Sequence, residues 1–364
     1  MQQNRQGERY YNIECLRFVF AVCIIYFHLL HSFIMPYTGG NAIYKILAEQ
    51  TKYTKYIVEC FFIISGYFLF QSVQRHPERS VREFICGRIQ RLWPVLACSV
   101  CISASFFGKS WYTSFADLFF LQSSGLVTDW KGLNWYVSAF FLAEVFYFML
   151  YKCFHNSTKM KLLICLLIYF GYVVNINAMN GGFGRKMLYG MLNLGLARAV
   201  SGVGLGYLIG MLYSSWVTTQ TEGEPAGKVR LKNIGISLVE ISTVFLLAED
   251  FFYSKKAYEN QFIVVILFTA LFVCLLTRRG VFSKLTDHSV WAFFGRYTYS
   301  MYVMQEVAFA ILKRTFWKDT SFIRANPAAA MILSIMIVIT IAVLTYHLIE
   351  RPGAAIMKKL MSLQ

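Results

Sequence analysis

Long apolar runs separated by short charged stretches organise the chain. Ten such runs of about 17–23 residues recur, near 13–34, 57–73, 92–108, 135–154, 162–178, 190–213, 233–252, 261–277, 297–312 and 328–349. A helix rises about 1.5 Å per residue, so each run can cross a hydrocarbon core of about 30 Å. The pattern predicts an all-α polytopic membrane bundle of about ten transmembrane helices. The sixth run carries Gly195, Gly202, Gly204, Gly206 and Gly210, so neighbouring helices can approach it closely. Residues 214–232 form the one stretch that reads as a flexible polar loop. Without an internal repeat or a second domain in view, residues 1–364 read as a single integral-membrane domain.

Composition agrees with the pattern. Of 364 residues, 57% are hydrophobic and 15% charged, with a mean hydropathy of +0.49. A soluble domain holds about 45–50% apolar and about 25% charged residues. Disorder, collagen and a nucleic-acid-binding domain are thereby excluded. The net charge of +16 reads as loop charge, because cytoplasmic loops of membrane proteins collect Lys and Arg. With the N-terminus placed inside, the inner segments hold 20 Lys and Arg and the outer loops 13, which favours both termini in the cytoplasm. On that side falls the Asn156-Ser-Thr sequon, so its glycosylation is not expected. The nine cysteines lie nearly all within apolar runs and read as free, small hydrophobes. No cleavable signal peptide is expected, since the first apolar run is too long for one.

Ionisable residues inside apolar runs are expensive and therefore point to function. The first run carries Glu14, Arg17 and His28. At about 100° per residue, Arg17 lies about 20° and Glu14 about 40° from His28 around a helix, so the three share one stripe. Glu14 and Arg17, three apart, can pair. His28 lies about 16 Å further along the axis than Arg17. Arg88 and Arg91 form a second constellation in RIQRLWP, with Arg82 just upstream. They share a helix face and suit bidentate phosphate binding. A basic anchor with Trp93 at the interface is the structural alternative. Ser65 in FFIISGYF, Gln305 in SMYVMQEV, Glu350 in ERP and Arg198 within the sixth run complete the set.

Together these segments resemble the acyltransferase-3 family of integral-membrane acyltransferases, which modify cell-surface glycans. IECLRFVFAVCIIYFH is similar to the family's opening segment of an acidic residue, Leu-Arg and a His ten residues on; Glu14 stands where Asp is more usual. FFIISGYFLF, RIQRLWP, LNWYVSAFFLAE, LARAVSGVGLGYLIG and YHLIERP resemble its later segments in order. SMYVMQEV resembles a Tyr-x-x-His segment with Gln305 at the usual His position. The resemblance implies about ten spanning helices, an acyl-CoA donor on the cytoplasmic side, usually acetyl-CoA, and a glycan acceptor on or beyond the membrane. It also implies that Arg17 and His28 are essential and that Arg88 and Arg91 belong to the donor site.

The residue types suit that chemistry. A thioester needs a deprotonated hydroxyl to attack it, and His28 is the best general base available. Arg88, Arg91 and Arg82 are expected to hold the phosphates of coenzyme A. Arg198, Ser65 and Gln305 are assigned to the substrate. No permanently bound cofactor and no metal site is expected, and the partners are acyl-CoA, a glycan or lipid-linked glycan, and membrane lipids, with no nucleic acid. The cell membrane of a bacterium is the expected location. Two other readings stay open. Polar stripes through a ten-helix bundle also build solute paths, so a transporter or exporter is one. A succinyl-CoA-dependent enzyme is the other, with Arg198 as the cation for the extra carboxylate.

Overall fold

The computed structural model describes residues 9–38, 40–126, 132–219, 226–253 and 261–362. Helices dominate. In chain order they are α1 (Tyr11–Leu29), α2 (Ala42–Gln50), α3 (Ile57–Arg75), α4 (Val81–Phe107), α5 (Trp111–Leu118), α6 (Trp135–Phe154), α7 (Thr158–Ala178) and α8 (Leu194–Thr219). They continue as α9 (Ala226–Phe252), α10 (Phe262–Thr277), α11 (Val281–Thr286), α12 (Val290–Gly295), α13 (Thr298–Arg314), α14 (Ser321–Ala325), α15 (Pro327–Thr345) and α16 (Arg351–Ser362). One small hairpin, β1 (Met187–Leu188) with β2 (Leu192–Asn193), is the sheet among the described residues. All ten expected spans are helical. Among the described residues, eight of the helical segments are long and apolar enough to cross a membrane, and the other two expected spans are the shorter α10 and α13, of 16 and 17 residues.

Two boundaries differ from the apolar pattern. The third apolar run begins at 92, but α4 begins at Val81. Ser80 and Glu83 cap it reciprocally: the Ser80 amide donates to the Glu83 carboxylate at 2.7 Å and the Glu83 amide to Ser80 Oγ at 3.2 Å. Such a box satisfies two of the otherwise unpaired amides of a first turn. Three polar turns thus precede the apolar part of α4. The polar loop expected over 214–232 is narrower, because α8 continues to Thr219 and α9 begins at Ala226. Polar side chains are compatible with a helix that runs beyond the hydrocarbon. The remainder of that loop, and Arg5, lie outside the described residues.

The helices run alternately up and down. At one end Lys152 donates to the Pro77 carbonyl at 2.9 Å and Asn12 to the Leu275 carbonyl at 2.9 Å. At the other, Thr54 donates to the Phe251 carbonyl at 2.7 Å and the Gln261 amide to the Gly181 carbonyl at 2.7 Å. The beginning of α1 and the end of α16 lie at the first, basic end, where Gln90 meets Met361.

Small residues bring α3 and α8 together. A Cβ on Gly66 would stand 1.9 Å from the Val203 carbonyl oxygen, and one on Gly206 would stand 1.9 Å from that of Ile63. The backbones therefore touch where no side chain fits, as the glycines of the sixth run lead one to expect. Ser65, about 100° round α3 from Gly66, is left to line a cavity beside Tyr136 of α6. Buried side chains gather in three clusters: one around α3, α6, α8 and α10, one around α1, α13 and α15, and one around α4, α6 and α13. The candidate site opens between them.

Candidate active site

A cavity of about 470 Å³ lies among α1, α3, α4, α6 and α13. That volume falls within the roughly 300–1,000 Å³ of small-molecule sites. Its lining changes character with depth. Arg75, His76 and Arg79 stand at the basic end, at the turn from α3 to α4, and Arg88 and Arg91 lie two to three turns into α4. Glu14, Arg17, Glu144 and Thr298 follow at a similar level. Further in come Ser65, Phe61, Tyr136, Tyr302 and Gln305, with Ile24 and Val58 beyond.

Charge is balanced for two of the cations and not for a third. Arg17 bonds Glu14 at 3.1 Å and donates to Thr298 Oγ1 at 3.4 Å. Glu14 in turn packs on α12, where a Cβ on Gly295 would stand 2.1 Å from its Oε2. Arg88 bonds the buried Glu144 at 3.0 Å and lies over the Phe84 ring. Arg91 makes no hydrogen bond or ion pair with any described residue. It still lies within electrostatic reach of the Glu144 and Glu350 carboxylates. Arg17, Arg75, Arg79, Arg88 and Arg91 nevertheless outnumber Glu14 and Glu144 in the lining, and the resulting net positive charge suits an anion. Pro94, one turn beyond, has no N–H to offer the Gln90 carbonyl, and its ring packs on Gly353 of α16, where an added Cβ would come within 2.6 Å.

The deeper part is aromatic. Tyr136 stacks on Phe62 with centroids 4.8 Å apart and meets Tyr302 at 5.0 Å. Tyr302 donates to the Leu133 carbonyl at 2.6 Å, and Tyr299 to that of Leu92 at 2.5 Å. Gln305 is fully buried, and its Nε2 donates to the Tyr302 carbonyl at 2.9 Å. From α1 the lining residues are Glu14, Arg17, Ala21 and Ile24. That spacing of three and four is one helix stripe, and His28 is its next member, one turn beyond Ile24. His28 is half-buried, lies edge-on to Phe27 at 5.1 Å, and makes no hydrogen bond with a described residue. Just beyond it the helix widens into a π-helical turn, Leu30–Ile34, a feature frequent at functional sites. His31 in that turn places its ring nitrogens 2.9 Å from the Phe27 carbonyl and 3.0 Å from the Ala48 carbonyl of α2.

Six residues singled out in the sequence therefore meet in one cavity: Glu14, Arg17, Ser65, Arg88, Arg91 and Gln305. His28 continues its α1 stripe. Arg82 and Arg198 are elsewhere. Arg82 is exposed, and it is six residues from Arg88, which turns it to another face of α4. Arg198 is buried and bound to Glu59 of α3 at 2.6 Å, donates to the Gly184 carbonyl at 3.2 Å, and lies over the Trp135 and Phe183 rings. Glu350 lies in a second π-helical turn, Tyr346–Glu350, and accepts from Ser300 Oγ at 2.5 Å. Glu59 and Glu144, the carboxylate partners of Arg198 and Arg88, are residues that the sequence reading does not single out. Both are acids inside apolar runs, the same signal that drew attention to Glu14.

The chain belongs to the acyltransferase-3 family: its acyltransferase domain matches residues 10–347, nearly the whole chain. No curated protein and no solved structure matches. Fold and family together make this a multi-pass membrane acyltransferase.

Proposed function

We propose that the protein transfers an acetyl group from acetyl-CoA, supplied at the basic, cytoplasmic end of the bundle, to a hydroxyl of a cell-surface or lipid-linked glycan. The observation that carries this reading is the grading of a single cavity. Arginines outnumber carboxylates at its mouth, and uncharged aromatic and amide groups line its depth. Coenzyme A has the same polarity: phosphates at one end, a thin uncharged arm at the other, and the thioester at the tip.

In this account Arg91, Arg88 and the neighbouring Arg79 hold the phosphates, since guanidinium forks match phosphate oxygens. Glu144 is a positioning residue that keeps Arg88 aimed into the cavity. Arg17, oriented by Glu14, lines the passage between the phosphates and the reacting end. Ser65 and Gln305 contact the substrate at depth. His28 acts as general base. It takes the proton of the acceptor hydroxyl, whose oxygen bonds to the thioester carbonyl carbon. The carbon–sulfur bond then breaks, the ester remains on the sugar, and coenzyme A leaves with its sulfur taking up a proton. A bacterial plasma membrane with both termini in the cytoplasm is the setting that the loop charges and the family favour.

Arg198 already has a carboxylate partner in Glu59, so it does not stand ready for the second carboxylate of a succinyl donor. The unpaired Arg91 favours binding of a phosphate-bearing donor over passage of a neutral solute. The experiment is equilibrium binding of acetyl-CoA to the purified chain. Arg91→Ala is expected to weaken binding by about ten- to a hundredfold, the loss of one hydrogen-bonded charge. Equal affinity would return Arg88 and Arg91 to the role of a membrane anchor.

A further inference from the structure

Gln305 sits in the cavity wall with one half of its amide used and the other half not. Its Nε2 donates to the Tyr302 carbonyl at 2.9 Å. A carbonyl can only accept, so the nitrogen is fixed on that side and the oxygen on the other. Oε1 is buried and has no hydrogen-bond partner among the described residues. The side chain is fully enclosed by protein, and it lines the cavity beside Tyr136 and Tyr302. A buried acceptor of this kind calls for a donor, because leaving it unmatched costs more than a bond gains.

We propose that Gln305 Oε1 accepts a hydrogen bond from the amide N–H nearest the sulfur in the thioester arm of the donor, and so selects a pantetheine-type acyl thioester. This rests on the donor reading given above. Depth and chemistry both point there. Gln305 lies on α13 two turns beyond Thr298, the partner of Arg17, and so lies on the far side of the phosphate-binding end. A ligand anchored by its phosphates at Arg88 and Arg91 brings its arm to this level. Along that arm the amide nearest the sulfur offers an N–H close to the thioester. A histidine at this position could present either a donor or an acceptor. Glutamine held by the Tyr302 carbonyl presents an acceptor alone.

The test uses the purified full-length chain and two donors: acetyl-CoA, and the analogue in which an ester oxygen replaces that amide N–H. Wild type is expected to bind the analogue about tenfold more weakly, the worth of one buried hydrogen bond. Gln305→Leu is expected to bind acetyl-CoA about tenfold more weakly than wild type and to treat the two donors alike. Arg91→Ala, by contrast, is expected to weaken both donors and keep the tenfold preference, which a general disturbance of the bundle would not do. Equal binding of the two donors by wild type would overturn the proposal, as would an undiminished preference in Gln305→Leu. Either of these with intact acetyl-CoA binding leaves the donor reading standing. No acetyl-CoA binding by monodisperse wild type overturns both.

Discussion

His28 and Arg17 carry different parts of the account, and single substitutions separate them. A positioned general base is worth about 10²–10⁴-fold in rate. His28→Ala is therefore expected to lower acetyl transfer by at least about a hundredfold, with acetyl-CoA affinity unchanged; the measurement is turnover beside equilibrium binding. Glu144 is the residue whose loss should be felt as stability. Removing one partner of a buried ion pair strands the other, at about 3–5 kcal/mol. Glu144→Ala is expected to unfold at lower temperature and bind acetyl-CoA more weakly, and the double variant Glu144→Ala/Arg88→Met to regain much of the stability but not the binding. Thermal unfolding in detergent together with donor titration checks this. Much of the site was legible at this scale. Glu14, Arg17 and His28 stand out because charge inside apolar sequence is rare. Glu59 and Glu144 bear the same mark, but their importance lies in their partners, Arg198 and Arg88, which are 139 and 56 positions away and meet them only in the fold.

Among the elements, the contact of α3 with α8 is the most demanding. Gly66 and Gly206 each face a backbone carbonyl with no room for a side chain. Gly66→Ala is expected to cost about 1–3 kcal/mol through overpacking, read as earlier thermal unfolding with aggregation on size exclusion. An unchanged midpoint would mean that α3 and α8 are further apart than described. Helix positions followed from apolar length alone. Helix starts did not, because polar residues that cap or line a cavity look like loop in a hydropathy pattern. α4 shows why: its first three turns are polar, and they hold Arg88 and Arg91 of the cavity lining. Arg82 shows the converse. It lies near Arg88 and Arg91 in sequence, but the helical repeat turns it away from them, while Arg75 and Arg79 come in from the preceding turn.

For the molecule as a whole, the bundle joins a basic opening at one end to a histidine on the same α1 stripe, beyond the cavity's depth. That arrangement gives the reaction a direction. Acetyl-CoA is expected to support transfer in inside-out membrane vesicles and to fail in sealed right-side-out vesicles, and a tag on either terminus is expected to be accessible only in the former. The overall class was plain from sequence because membrane insertion demands long apolar helices, which any reader of hydropathy finds. The cavity was not, since five helices spread from α1 to α13 build it and no local pattern records their meeting. The central claim is that this cavity presents acetyl-CoA to an acceptor activated by His28. Its most direct test is transfer of label from radioactive acetyl-CoA in membranes that hold equal amounts of monodisperse wild type or His28→Ala. Label entering a glycan or lipid fraction with wild type and not with the variant is the predicted result. Equal labelling by the two proteins, or no labelling by wild type supplied with membranes of its own host, would contradict it.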